Sequence, residues 1–491
     1  MKVVVIGAGL GGLSAACHLT GRGHAVTVVE RESAPGGRAA MLEADGYRID
    51  TGPTVLTMVD LLEETFAAAG ADLADHLTLR PVDPMYRACF PDGSELRIRH
   101  GRDAMADEIR AVCGPAEAAA FHRFCAWLGD LYELELPKFI ARNYDSPLDL
   151  GRDPGALARL VRLGALRRLA PTVASYFADE RLRRIFSFQS MYAGLSPFEA
   201  LAVYCVITYM DTVEGVYFPD GGIHEVGRGL AAAAEKAGAV LAYDRPVERI
   251  TRRADGSVQT VRLADGEHLD ADAVVCNVDL PVAYRQLVGL EPPRVARRGR
   301  YSPSCIVWAA GVRGALPAAA AHHNIHFGRA WREAFDALLR DGRRMPDPSM
   351  LVTTPTVSDP TLAPDGGAAL FVLEPAPNLD GVVDWSAERA GLRDELVDRV
   401  GRLGYPVDDV VVEQLTDPQG WAAQGLERGT PFSLAHTFFQ TGPFRPGNVD
   451  RRVPGLVFTG MGTVPGVGIP MVLISGRLAA DRVDEWAAAR P

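Results

Sequence analysis

Two apolar runs near the start of the chain, Lys-Val-Val-Val-Ile at 2–6 and Ala-Val-Thr-Val-Val at 25–29, crowd valine without a clear polar alternation. Runs of this length and composition predict strands buried on both faces of a parallel sheet. Between them, residues 10–20 are rich in helix formers, and Gly21 and Gly23 predict where that helix ends. A third apolar run at 456–459 precedes a glycine-rich turn. A helix is then predicted from about Pro470, because proline suits the first helical turn. Residues 221–250 read as helix then strand. Residues 256–278 read as a hairpin and a strand returning to the first sheet, with turn signals at Asp255-Gly256 and Asp265-Gly266.

The turn between the first strand and its helix is Gly7-Ala8-Gly9-Leu10-Gly11-Gly12, a G-x-G-x-x-G. Gly7 allows the tight turn, Gly9 lets a pyrophosphate approach the backbone, and Gly12 lets helix and strand pack closely. The helix N-terminus turns free N–H groups toward the phosphates. Glu30 ends the second strand, about 20 residues past the glycines, where a carboxylate accepts hydrogen bonds from ribose hydroxyls. Glycines, helix and acid together predict a dinucleotide site; a lone glycine motif would not. Its N-terminal position resembles a signal peptide only superficially, since one Lys, a glycine turn and no small-residue cleavage site argue against that.

The 491 residues suffice for two or three domains. A net charge of −11 argues against nucleic acid as a partner. The seven cysteines are scattered and never spaced C-x-x-C, which predicts buried thiols in place of disulfides or zinc ligands. No apolar run has the length of a membrane span. One segment departs from the acidic average: residues 151–188 hold eight arginines (152, 159, 162, 167, 168, 181, 183, 184) and three acids. Leu157, Leu160, Val161, Leu163 and Leu166 fall at helical spacing among them. A basic amphipathic helix lies on an anionic membrane surface; the alternative is a solvated basic face on a buried helix.

After Glu30 come a Gly36-Gly37-Arg38 turn and Asp50-Thr51-Gly52-Pro53-Thr54. This pattern resembles the flavoprotein fold of the amine oxidases, carotenoid desaturases and Rab GDP-dissociation inhibitors, which implies FAD. Further stretches resemble the bacterial-type phytoene desaturases: SFQSMYAGLSPFEALAVYCVITYMDTVEGVYFPDGG from 187, HHNIHFG from 322, TPFSLAHTFFQTGPFRPGN from 430 and GTVPGVGIPMVLISG from 462. The motifs cover nearly the whole chain in that family's order.

The resemblance implies an α/β fold. A Rossmann-like FAD-binding domain would draw on residues 1–80, 221–289 and 440–491. An inserted α+β substrate domain would draw on 81–220 and 290–439, with the basic helical region at about 151–190 touching the membrane. It implies cofactor contacts from Gly7, Gly9, Leu10, Gly11, Gly12, Glu30, Arg31, Gly37, Arg38, Gly52, Pro53 and Thr54. Val247 would lie against the adenine, and Gly462, Gly468, Ile469, Pro470 and Met471 at the flavin. Where many such flavoproteins carry Gly-Asp for the ribityl chain, this sequence has Gly460-Met461-Gly462, so that contact is absent or made by backbone.

The implied reaction is desaturation of a linear carotenoid, typically phytoene toward lycopene, by loss of a hydride equivalent and a proton. Quinone or dioxygen would be the electron acceptor, and the protein would attach peripherally at the cytoplasmic side of a membrane. Alternatives are another polyene reaction of the family (isomerisation, terminal methyl oxidation, desaturation of a C30 or already modified carotenoid), an amine oxidase, or a prenyl-binding carrier.

No acid–base pair stands out. Asp211 and Glu214 are candidates to face substrate, against a surface or ion-paired role. Arg167 or Arg168 are candidates to stabilise flavin or orient substrate, against a solvated or lipid-facing role. Tyr192, Phe198, Tyr204, Tyr209, Tyr217 and Phe218 are candidates for a polyene tunnel, against plain core packing. His322, His323 and His326 sit on a predicted strand without an acid partner, so no metal is expected.

Overall fold

A computed structural model describes residues 1–490. Strand β1 (Lys2–Ile6), helix α1 (Leu10–Gly21) and strand β2 (Ala25–Val29) form where the apolar pattern predicts them. Five parallel strands make one sheet, in the spatial order Leu456–Phe458, Ala273–Cys276, β1, β2, Val240–Ala242. Crossing the sheet edge therefore means crossing four distant parts of the chain. Helix α1 packs on one face between helix His224–Lys236 and the C-terminal helix Ile469–Ala489. The second of these crossings is close because position 476 has no side chain: a Cβ on Gly476 would lie 2.6 Å from that of Ser14. The hairpin Val247–Arg252 with Val258–Leu263 hangs off the sheet, joined by the short strand His268–Asp270.

A second sheet has seven strands, in the order Val410–Thr416, Ser304–Arg313, Gly367–Ala376, Met350–Thr353, His323–His326, Tyr86–Cys89, Glu95–Ile98. All its pairings are antiparallel except His323–His326 with Tyr86–Cys89. Helix Trp385–Arg402 covers one face, seating Trp385, Leu392, Leu396 and Val400 on Trp308 and its neighbours.

Helices Pro115–Glu135, Leu169–Tyr176 and Glu180–Ile185 enclose a cluster of Phe121, Phe124, Phe177 and Phe186. The basic segment is helical but broken. Helix Pro154–Arg162 stops short of Leu166, because Gly164 takes a left-handed conformation (φ 75°) that turns the chain. Among the described residues no helix is long and apolar enough to cross a membrane.

Candidate functional site: a cleft at the sheet edge opening into an apolar tunnel

One cavity of about 1610 Å³ begins at the carboxyl edge of the parallel sheet and runs into the helical region. Single-ligand pockets fill about 300–1,000 Å³, so this one has room for a cofactor and a second molecule. Its sheet end is built from glycine. A Cβ on Gly12 would stand 2.1 Å from the Gly7 carbonyl oxygen, so α1 can only sit this close to β1 with glycine there. A Cβ on Gly37 would lie 3.0 Å from the Gly9 Cα, so the two glycine turns touch and form a floor without side chains. Gly52 clamps that second turn, its missing Cβ falling 1.8 Å from the Arg38 carbonyl oxygen.

Glu30 stands at the end of β2, almost wholly buried, and lines the cleft. The Ala8 N–H donates to its Oε2 (2.6 Å) and the Glu32 N–H to its Oε1 (3.0 Å). Each carboxylate oxygen keeps acceptor capacity for a hydroxyl. Asp50, from the Asp-Thr-Gly-Pro-Thr segment, instead accepts from the N–H groups of Ile223 (2.8 Å) and His224 (3.1 Å), and so anchors the start of helix His224–Lys236.

The bare floor, the N-terminal amides of α1 and the acid at the neighbouring strand end fit a dinucleotide laid across the sheet edge. Every expected cofactor residue lines the cavity except Gly12, whose place is the α1–β1 contact: Gly7, Gly9, Leu10, Gly11, Glu30, Arg31, Gly37, Arg38, Gly52, Pro53, Thr54, Val247, Gly462, Gly468, Ile469, Pro470 and Met471. Three contributors were not read from the sequence. The Asn277 side chain sits beneath Gly9, Gly11 and Gly460, within 3 Å of where their Cβ atoms would be. Asp279 lines the cavity two residues further on. The Arg445 guanidinium is buried and donates to the carbonyls of Met461 (2.6 Å), Thr463 (3.0 Å), Leu434 (3.2 Å) and Gln440 (3.3 Å), tying down the turn before the C-terminal helix. Burial without a counter-ion pulls its pKa down to about 10.

Beyond the sheet the wall is mostly apolar, with a few polar groups that water does not reach. Asp211 is buried and, among the described residues, has no ion-pair partner, so the surface or ion-paired reading does not hold. Thr212 Oγ1 donates to its Oδ1 (2.7 Å) and Gln189 Nε2 to its Oδ2 (3.4 Å). Burial pushes its pKa up to about 7. Glu135, at the end of helix Pro115–Glu135, also lines the cavity, and its Oε1 has no partner. Burial drives its pKa well above the ordinary carboxylate value. The Tyr204 hydroxyl donates to the His436 carbonyl, and His436 packs where a Cβ on Gly466 would be.

Of the aromatic candidates, Tyr192 and Tyr204 line the cavity. Phe198 packs on Phe335, Tyr209 stacks on Tyr132, and Phe218 is core. Arg167 and Arg168 are exposed and do not line the cavity, so neither reaches a cofactor or substrate within it. The histidines are held by hydroxyls: His322 by Ser358 (2.7 Å), His323 by Thr353 (3.0 Å) and His326 by Tyr405 (3.0 Å).

The flavin-containing amine oxidoreductase family model matches residues 10–484. A phytoene dehydrogenase of Streptomyces griseus is 50% identical over 99% of this chain and 96% of its own. The chain belongs to the phytoene desaturases of that flavoprotein family. A zeta-carotene-forming phytoene desaturase of Myxococcus xanthus is 39% identical over all of this chain and 95% of its own. Among solved structures, an oxidoreductase from Methanosarcina mazei shares the fold, with a TM-score of 0.60 at 18% identity over 99% of this chain and 100% of its own. FAD is therefore the dinucleotide of this desaturase's cleft, and the protein is a flavin-dependent oxidoreductase.

Proposed function

We propose that the protein desaturates phytoene toward lycopene, a linear C40 hydrocarbon held in the tunnel against the cofactor. One observation carries the reading: the cofactor cleft and the apolar tunnel are one continuous cavity, lined from Glu30 to Leu157, Leu160 and Leu166. When bound, FAD supplies the hydride acceptor. The tunnel's part is to hold one carbon–carbon bond against that acceptor and to exclude water. Asp211 is the group we assign to the proton: a pKa near 7 leaves a substantial carboxylate fraction at neutral pH, as a base requires. Relatives named for carotenoids favour a polyene over an amine. The domain division has support in the strand content, since every strand of the parallel sheet falls within 1–80, 221–289 or 440–491.

The same reading takes substrate from a bilayer. The far end of the tunnel is lined by Leu150, Leu157, Leu166, Phe438 and Phe444. Around it Leu148 (84% exposed), Phe439 (71%) and Val161 (55%) face outward. Arg162, Arg167 and Arg168 stand in the same segment, without an ion pair among the described residues. Apolar tips among guanidinium groups without an ion pair suit an anionic membrane surface, at the cytoplasmic face in this proposal, with a membrane quinone or dioxygen as electron acceptor.

Product analysis tests the function. The protein is added to phytoene-loaded liposomes with FAD and a quinone, and products are separated and read by absorbance. Stepwise growth of visible polyene bands is expected, ending at lycopene. Arrest at zeta-carotene or neurosporene would revise the product. No conversion of phytoene by flavin-loaded protein would remove it as substrate and turn the test to already conjugated carotenoids.

A further inference from the structure

The five parallel strands end at one edge, and their order divides that edge in two. Glu30 and Val247 lie on the side of β2, while Asn277–Asp279 and Gly460–Gly462 lie on the side of Ala273–Cys276 and Leu456–Phe458. With the adenosine on the Glu30 side, the ribityl chain and ring must cross the other side. There the turn Gly460-Met461-Gly462 offers no carboxylate.

A carboxylate stands beside that turn, on the neighbouring strand end. A Cβ on Gly462 would lie 2.7 Å from the Leu280 Cβ, so the turn packs directly on the residue after Asp279. Arg38 reaches from Met461 Sδ (2.6 Å) and the Pro431 carbonyl (3.2 Å) toward the same place. Asp279 is half-buried and lines the cavity, but both its carboxyl oxygens are sealed from solvent and neither makes a well-formed hydrogen bond, the Glu427 backbone N–H being a neighbouring donor short of that geometry. Burial pushes its pKa up to about 7, opposed mainly by the charge of Arg38. A carboxyl sealed from water without a well-formed hydrogen bond is costly and has capacity for a further donor. The hydroxyl-bearing part of the cofactor is the group that has donors to offer on this side of the edge.

We propose that Asp279 is the acid of the ribityl chain in this enzyme, supplied by the end of strand Ala273–Cys276 in place of the missing Gly-Asp acid, its carboxyl turning to accept a ribityl hydroxyl. The proposal rests on FAD lying across the sheet edge as described.

The test compares two ligands on the full-length protein freed of flavin. FAD spans both sides of the edge; ADP occupies only the Glu30 side. Asp279→Ala is expected to weaken FAD binding, read by flavin fluorescence, by about tenfold or more, as loss of a charge-assisted hydrogen bond does. ADP affinity, read by calorimetry, should stay within about twofold of wild type. Asp279→Asn, which keeps the shape and an acceptor, should recover part of the loss. An FAD analogue lacking the contacted ribityl hydroxyl should bind wild type and Asp279→Ala alike. Equal weakening of FAD and ADP would overturn the proposal in favour of a structural role, as would unchanged FAD affinity. Should wild type bind ADP but not FAD, the placement of the cofactor fails first, and the two failures are distinct.

Discussion

In the proposed reaction, Asp211 concentrates the chemistry of the tunnel in one side chain. Its folded carboxyl keeps its proton to about pH 7, against an ordinary value of 3.8. The neutral form therefore stabilises the fold fully below about pH 4, and that contribution is lost as the pH rises through about 7. Asp211→Asn cannot ionise, so its melting temperature should match wild type near pH 4 and exceed it increasingly toward pH 8. Activity should move the other way. If Asp211 takes the proton, wild-type kcat/KM rises with pH through about 7, and Asp211→Asn loses both that inflection and ~10²-fold or more in kcat. Thermal melts and pH–rate profiles of the two proteins check both. A purely structural Asp211 would give the melting result without the kinetic one. The sequence marked Asp211 only as a candidate because nothing local reports burial: its partners Gln189 and Thr212 are ordinary polar residues. Glu135 carried no signal at all, being one acid among several at the end of a long helix.

At the scale of elements, glycines separate close packing from simple chain flexibility. Gly12→Ala would drive a Cβ into a backbone oxygen at 2.1 Å, and neither α1 nor β1 can yield without moving the cofactor floor. A cost of about 3 kcal/mol or more is expected, with loss of bound flavin on gel filtration. Gly391 is the control: it is exposed in helix Trp385–Arg402, with nothing within 4 Å of where an added methyl would sit. Gly391→Ala should stabilise by about 1 kcal/mol and leave flavin content unchanged. The glycine turn, its strands and its helix were legible because each rests on neighbours in sequence. Of the seven-stranded sheet, only the strand at His323–His326 was. The sheet's strand Ser304–Arg313, second from one edge, is buried at nine of ten positions, so it shows none of the alternation that marks a half-exposed strand. The basic helix was legible in kind but not in length, since apolar spacing continued to Leu166 while Gly164 had already turned the chain.

For the whole molecule, the proposed function raises the question of how a protein with no membrane-crossing helix among its described residues would reach a substrate dissolved in lipid. The net charge of −11 opposes approach to an anionic surface, so any attraction must be local. In the proposed reading the tunnel end supplies it: the turns Gly442–Phe444 and Pro147–Arg152 pack together there, with exposed Phe439 on the adjoining turn Phe438–Gln440 and exposed Leu148 beside the basic helix. This pairing joins segments about 300 residues apart in sequence, and no local pattern announces it. If these side chains enter the bilayer, Phe438→Ser with Phe439→Ser removes apolar contact without touching the sheet edge. Flotation with anionic liposomes should then recover several-fold less protein. Conversion of liposome-borne phytoene should fall with it, while conversion of detergent-dispersed phytoene stays near wild type. Replacing Arg162 and Arg167 with Gln should weaken flotation mainly at low salt, because the electrostatic share is screened within about 10 Å at 0.1 M. Equal losses in liposomes and detergent would instead place Phe438 in the tunnel's grip on substrate, since that residue also lines the cavity.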